Sequence, residues 1–363
     1  MLRNLLLTGS LLTAAFCATA DAALAQGCIN SRHTTGAYGS DGPYLAPGKL
    51  VFNQSARYLK ADKHFVGTME LKGLNATGSN AINEQHVLDF GFTYGVSESL
   101  SVSLSIPYSF GTWSLPLPMG PPMMPGTKGP RYKQAAEGVG DLTLTARHWL
   151  HAPSTSPDHN IQFGFGIKAP TGESNATSLF GNINGGGIRQ RSVDASIQPG
   201  DGGWGMVFDF FSFYKTKYCD LFVDGGYMMN PEESNDAVST PANLFGELNV
   251  PADIRFNSIP DRFLFRIGAA REIASVPGLV PQISWRIEGI PDTDILGGED
   301  GYRQTGYATY IEPGVSYSYG NASWSVSVPY ALIRNRETDA GGRAGDATFA
   351  DWMLLIGVSF DVF

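Results

Sequence analysis

The sequence predicts an all-β protein, a transmembrane up-and-down antiparallel β-barrel of about twelve strands. Three observations carry that expectation. Segments alternate apolar and polar residues, their connections alternate short and long, and the chain ends on an aromatic residue after an alternating strand. Composition agrees. The 363 residues include 44 Gly and 12% aromatics, and only 16% are charged, against ~25% in ordinary soluble domains. A net charge of -9 and a pI near 5.1 exclude a nucleic-acid binder, because a phosphate backbone would be repelled. The same composition argues against a coiled coil or a disordered tail.

The chain opens with a leader. Arg3 precedes an apolar run over 5–20, and Ala23-Leu24-Ala25 supplies a small-x-small cleavage site. Residues 1–25 therefore read as a Sec signal peptide, too short to span a bilayer comfortably. Residues 26–47 follow as an N-terminal periplasmic segment, and 48–363 as the barrel. Cys17 leaves with the leader. Cys28 and Cys219 remain as free thiols or as one bridge. Gln26 is too large for a good lipoprotein acceptor site at Cys28. No second run of eighteen apolar residues exists, so no transmembrane helix is expected.

Strands follow from the period of two. Leu100, Val102, Leu104, Ile106 and Tyr108 alternate with Ser101, Ser103, Ser105 and Pro107. Trp324, Val326, Val328 and Tyr330 alternate with Ser325, Ser327 and Pro329. Twelve such segments are read, at 48–59, 85–96, 100–113, 138–151, 160–170, 203–214, 219–230, 261–271, 281–291, 305–319, 322–334 and 347–363. Most run for about 10–14 residues, suited to crossing a bilayer at a tilt. Connections near 97–99, 152–159, 215–218, 272–280 and 320–321 are short. Those near 60–84, 114–137, 171–202, 231–260, 292–304 and 335–346 are long. Strict alternation matches tight periplasmic turns and long external loops. Hairpins hidden in the long loops would raise the count to fourteen or sixteen. In the last segment Trp352, Leu354, Ile356, Val358, Phe360 and Val362 share one face. Gly357, Phe360, Val362 and the terminal Phe363 resemble the assembly signal of Gram-negative outer-membrane barrels, with Phe363 as one extra residue. That resemblance implies outer-membrane lipid and the barrel-assembly machinery as partners.

A barrel in lipid turns its apolar set outward. With Trp285 and Ile287 outside, Arg286 and Glu288 face in. With Phe263, Phe265 and Ile267 outside, Arg262 and Arg266 face in. The same logic places Arg57, Asp89, Asp141, Arg147, Lys168, Asp209, Asp220, Asp224, Glu312 and Asp351 in the lumen. Six of these fourteen are basic and eight acidic. Such charges either pair into networks that fill the interior or line a hydrated path. Tyr94, Tyr108, Trp113, Trp149, Tyr214, Tyr227, Tyr319 and Tyr330 lie near strand ends and suit interfacial girdles, although Trp149 falls on the inward face.

The loops add weaker signals. The stretch from Leu115 to Pro125 is rich in Pro and Met and reads as an exposed loop or a cover over the mouth. Gly185, Gly186 and Gly187 mark 171–202 as flexible. Asp292, Asp294, Glu299 and Asp300 read as a solvated acidic loop, since they lack EF-hand spacing. The six His show no metal spacing, and no nucleophile motif is present, so no metal, cofactor or catalytic residue is expected. No His is followed two places on by Ser, the pattern that lipase-type barrels carry.

Several stretches look like a Gram-negative outer-membrane family labelled as transporters or as "MetA-pathway of phenol degradation". They include Arg57-Tyr-Leu-Lys-Ala-Asp-Lys-His-Phe-Val-Gly67, Gly138-Val-Gly-Asp-Leu-Thr-Leu144, Phe163-Gly-Phe-Gly-Ile-Lys-Ala-Pro-Thr-Gly172 and Gln198-Pro-Gly-Asp-Gly-Gly-Trp-Gly205. Later come Arg286-Ile-Glu-Gly-Ile-Pro291, Leu296-Gly-Gly-Glu-Asp-Gly-Tyr-Arg303 and Gly345-Asp-Ala-Thr-Phe-Ala-Asp351. The resemblance covers nearly the whole mature chain and implies passage of aromatic or other hydrophobic compounds. The expected function is thus an outer-membrane channel for small-molecule solutes. The alternatives are a closed barrel that scaffolds a partner and, less favoured, a lipase-type enzyme.

Overall fold

The computed structural model describes residues 43–117, 129–181, 187–339, 341–342 and 347–363. The leader, Cys28, most of 26–47 and most of the Pro- and Met-rich loop lie outside the described residues.

Twelve antiparallel strands form one closed barrel. They are β1 (Leu50–Val66), β2 (Ile82–Gly95), β3 (Leu100–Pro116), β4 (Arg131–Val139 with Leu142–Trp149), β5 (His159–Ala169) and β6 (Gly205–Lys215). β7 (Asp220–Met229), β8 (Arg262–Ala270), β9 (Leu279–Ile290), β10 (Gly306–Tyr319), β11 (Ala322–Ser327 with Tyr330–Arg336) and β12 (Ala347–Asp361) complete it. Each strand pairs with its neighbours in sequence. β12 returns to β1, from Val51 opposite Asp361 to Phe65 opposite Ala347. The chain end secures this seam, because Leu50 N–H donates to the Phe363 carbonyl at 3.1 Å and Val362 N–H to Leu50 at 2.8 Å. Closure pairs β12 with β1 and so removes the open barrel edge that a bilayer would not tolerate; the outer segment of β4, Arg131–Val139, pairs with β3 alone.

The barrel is apolar outside and polar inside. On β5, Phe163, Phe165 and Ile167 are each at least half exposed, whereas Lys168 between barrel strands is 0% exposed. Removing such a side chain from water is worth about 1.5–3 kcal/mol. An outward row of them is therefore stable against lipid and not against water. No helix among the described residues is long and apolar enough to cross a membrane, and strands do the crossing instead. Short turns gather at one end and long loops at the other, so the protein is an outer-membrane β-barrel with its short-turn end at the periplasm. The tightest turn, between β10 and β11, needs Gly320 at φ +64, a left-handed conformation that a side chain resists.

The long loops do carry hairpins, Thr177–Phe180 with Arg189–Ser192 and Ser234–Val238 with Phe256–Ser258. These are separate two-stranded sheets outside the barrel path, so the strand number stays at twelve. Short helices α1 (Lys72–Thr77) and α2 (Thr240–Phe245) lie in the same loop layer.

One irregularity positions the lumen. β4 is interrupted at Gly140 and Asp141, and the inward set changes phase there. Gln134 is buried above the break, while Thr143 and Thr145 are buried below it. A bulge of this kind re-aims side chains. Here it turns Asp141, fully buried, toward the loop that follows β5.

Candidate functional site

The interior is divided into two halves. The periplasmic half holds a cavity of about 510 Å³, within the size range of small-molecule sites. The extracellular half is filled by the chain itself.

The cavity reaches from the β2–β3 turn, at Ser97 and Ser99, to a charged floor at mid-barrel. Its walls differ. Near β4 and β6, Trp149 and Phe211 face it, with Phe213 behind them. Tyr44, from the segment before β1, packs edge-on against Trp149 at 4.8 Å and Phe213 at 5.7 Å between ring centroids. Tyr44 is fixed further by Asn160 Nδ2, which donates to its hydroxyl at 3.1 Å. Burial raises the Tyr44 hydroxyl above its ordinary pKa, so it stays a neutral donor near neutral pH. Half-way round the barrel, on β10 to β12, the lining is hydroxylic, with Ser316, Ser323, Ser325, Ser327 and Ser359. An aromatic arc thus faces a hydroxyl arc.

The floor is a chain of ion pairs within one strand or between strands one or two places apart. Arg147 on β4 holds Asp209 on β6 at 2.8 Å and donates to Ser103 at 2.8 Å. Arg266 on β8 holds Asp224 on β7 at 2.9 Å and reaches Glu312 on β10 at 3.4 Å. Arg286 on β9 pairs with Glu288 at 2.5 Å and with Glu312 at 3.5 Å. Ser327 on β11 also donates to Glu312, at 2.8 Å. Ser105 donates to both oxygens of Asp89, at 2.8 and 2.9 Å. Charges removed from water need such partners, since an unpaired one costs several kcal/mol.

Twelve of the fourteen charged residues read from the sequence fall into two groups, and Asp220 and Asp351 lie elsewhere. Asp89, Arg147, Asp209, Asp224, Arg262, Arg266, Arg286 and Glu312 line the cavity. Arg57, Asp141, Lys168 and Glu288 are buried beyond it, and Asp220 lies at the periplasmic end of β7, level with Lys215 of β6. Asp351 stands apart. It sits where the β12 register to β1 slips, its side chain is 40% exposed, and it pairs with Lys63 and Arg334. The bulge takes it away from the mid-lumen cluster. Trp113 and Trp149, read as possible girdle residues, are 7% and 4% exposed. Trp113 packs instead against Phe180 at 5.6 Å.

What fills the upper half is the loop between β5 and β6. Its segment 192–201 folds into the barrel. Asn83 on β2 donates to the Ser196 hydroxyl at 2.9 Å, and Gln85 donates to the Ser196 carbonyl. Gln134 on β4 accepts from Asp194 N–H at 2.9 Å. Ile197 is 2% exposed among Trp113, Leu115, Phe180 and Val193. Asp141 accepts from Gly172 N–H and from Asp201 N–H, each at 3.0 Å. Asp201 in turn pairs with Lys168 of β5 and, at 3.3 Å, with Arg262 of β8. Its placement depends on Gly111 of β3, where an added Cβ would lie 2.4 Å from that of Ile197. A second, small void of about 30 Å³ remains under the loop, and Arg262 lines both it and the large cavity.

Sequence reasoning marked this loop as flexible and missed its role. The missed wall residues are uncharged, namely Asn83, Gln85 and Gln134. Amides on an inward face were the available signal, together with the apolar pair Val193 and Ile197 inside a polar loop. The acidic loop is also tied down. Asp294 pairs with Arg303 at 2.6 Å and accepts from Asp261 N–H at 2.9 Å. Asp261 also accepts from Tyr227 at 2.8 Å and from Ile295 N–H at 2.9 Å.

No family model matches this chain, and no curated protein matches it. Solved structures do. An outer membrane channel of the COG4313 group from Pseudomonas putida F1 superposes with a TM-score of 0.56 at 13% identity, covering 91% of this chain and 99% of that one. The translocator domain of the autotransporter NalP from Neisseria meningitidis has a TM-score of 0.41 at 12% identity, covering 87% and 89%. The Pseudomonas putida toluene transporter TodX likewise gives 0.41 at 11% identity, covering 93% and 95%. At these identities the first likeness establishes a shared fold, that of an outer-membrane barrel.

Proposed function

We propose that this protein is a gated outer-membrane channel for small ring-bearing solutes, moved passively through the barrel. The observation that carries the reading is the cavity of about 510 Å³ closed above by the protein's own loop. The wall beneath that loop is mixed: Asn83, Gln85 and Gln134 bond to the loop and could be wetted, beside an apolar patch at Trp113 and Leu115. The loop is held by separate latches, not by a continuous sheet, so withdrawal would join the two voids that Arg262 already touches. The aromatic arc offers ring faces for offset stacking, and the serine arc offers hydroxyl partners for polar substituents. Superposition on a protein described as an outer membrane channel and the family resemblance point the same way.

The test is single-channel conductance of the refolded full chain in planar bilayers. The variant joins Asn83→Cys to Ser196→Cys, whose native side chains meet at 2.9 Å, to lock the loop inward by a disulfide. Stepwise openings in the wild type, silence in the oxidised variant and recovery on reduction support the channel. A folded barrel silent in every state favours the closed scaffold.

A further inference from the structure

We infer that the solute is a small monocarboxylate and that Asp201 of the inward loop is its built-in competitor; this rests on the channel reading above.

The inference comes from where each carboxylate belongs. The wall cations Arg147, Arg266 and Arg286 are paired with Asp209, Asp224, Glu288 and Glu312, all on barrel strands. These pairs stay intact whatever the loop does. Lys168 and Arg262 differ, because both take a carboxylate from the loop, at Asp201. The Lys168 side chain is 0% exposed, so its ammonium has no access to water while the loop is in place.

Withdrawing the loop therefore uncovers two cations on β5 and β8. One wall acid lies near enough to act on Lys168, namely Asp141, and it too is occupied by the loop through two backbone N–H groups. The uncovered site keeps both cations and loses the carboxylate that bridged them, with Asp141 beside Lys168. Leaving it empty is unfavourable, because buried cations need a partner. A solute carboxylate restores the partner that Asp201 supplied, with a guanidinium fork and an ammonium as donors. Arg262 also lines the large cavity, so a carboxylate entering there meets it before the loop has moved. The loop and the solute compete for the same two side chains, and binding then favours the open state by differential affinity.

The experiment is calorimetric titration of the refolded full chain with benzoate and with benzamide, its uncharged isostere. The variants are Asp201→Asn, Asp201→Asn with Arg262→Gln, and Asp201→Asn with Lys168→Met. Removing the internal competitor is expected to tighten benzoate binding at least tenfold over wild type. Each second substitution is expected to abolish that gain, and benzamide affinity should not change. Equal benzoate affinity in wild type and Asp201→Asn overturns the inference. So does a gain for benzamide that matches the gain for benzoate. Bilayer recordings separate the two levels. Benzoate binding with silent bilayers removes the channel reading alone, whereas conduction without benzoate binding removes the carboxylate inference alone.

Discussion

Gly111→Ala should open the barrel. The added Cβ would lie 2.4 Å from Ile197 Cβ, 2.8 Å from its Cγ2 and 2.9 Å from its Cα. Carbon atoms in good contact are about 3.5–4.0 Å apart, so one partner must retreat by about 1 Å. β3 cannot give way easily, because Gly111 sits between Gln85 of β2 and Ala136 of β4 in continuous ladders. The loop can. Overpacking of this kind costs about 1–3 kcal/mol, which shifts the closed-to-open ratio by about 5–150-fold. The assay is open probability in planar bilayers, with gel mobility of the unheated sample reporting the folded barrel. Gly138→Ala is the control, since its Cβ would make ordinary contact with Pro199 at 3.4 Å. Adding Ile197→Gly removes two of the three close atoms, Cβ and Cγ2, and leaves Cα at 2.9 Å, so closure should partly return. Unchanged open probability in Gly111→Ala, or an equal rise in Gly138→Ala, would refute the steric account.

Three further outcomes are expected. Arg286→Met strips Glu288 of its guanidinium and leaves Glu312 with Arg266 and Ser327; breaking a buried pair costs about 3–5 kcal/mol, read as a lower urea midpoint in detergent. Asp194 in the inward loop is buried and its carboxyl is raised above the ordinary range, chiefly by desolvation and against the bonds from Ser196 and Thr240. With the folded pKa raised, protonation favours the inward loop, and that favour is complete below the unfolded pKa and is lost as pH rises through the folded one. Open probability should therefore climb with pH across that interval, and Asp194→Asn should flatten the climb; a wild-type profile in the variant counts against it. Deleting Phe363 removes the carbonyl that Leu50 N–H uses at the β1–β12 seam, and the yield of heat-modifiable folded protein should fall.

The sequence by itself determined the barrel. Alternation is local, and in lipid it fixes which face is outside, so Ile267, Arg266 and Glu312 could be sorted to their sides without any contact being known. Loop lengths fixed the two ends. Pairing partners were beyond it, because ion pairs such as Arg147 with Asp209 join residues 62 apart in the chain, and their meeting depends on strand register. The phase change at Gly140 and the slip that diverts Asp351 are likewise properties of neighbouring strands. The inward loop was decided by tertiary structure alone. Its fixed points, Ser196, Ile197 and Asp201, have no period of their own, and they become a plug only because Gly111, Gln134, Asp141 and Lys168 come together on the closed wall that receives them.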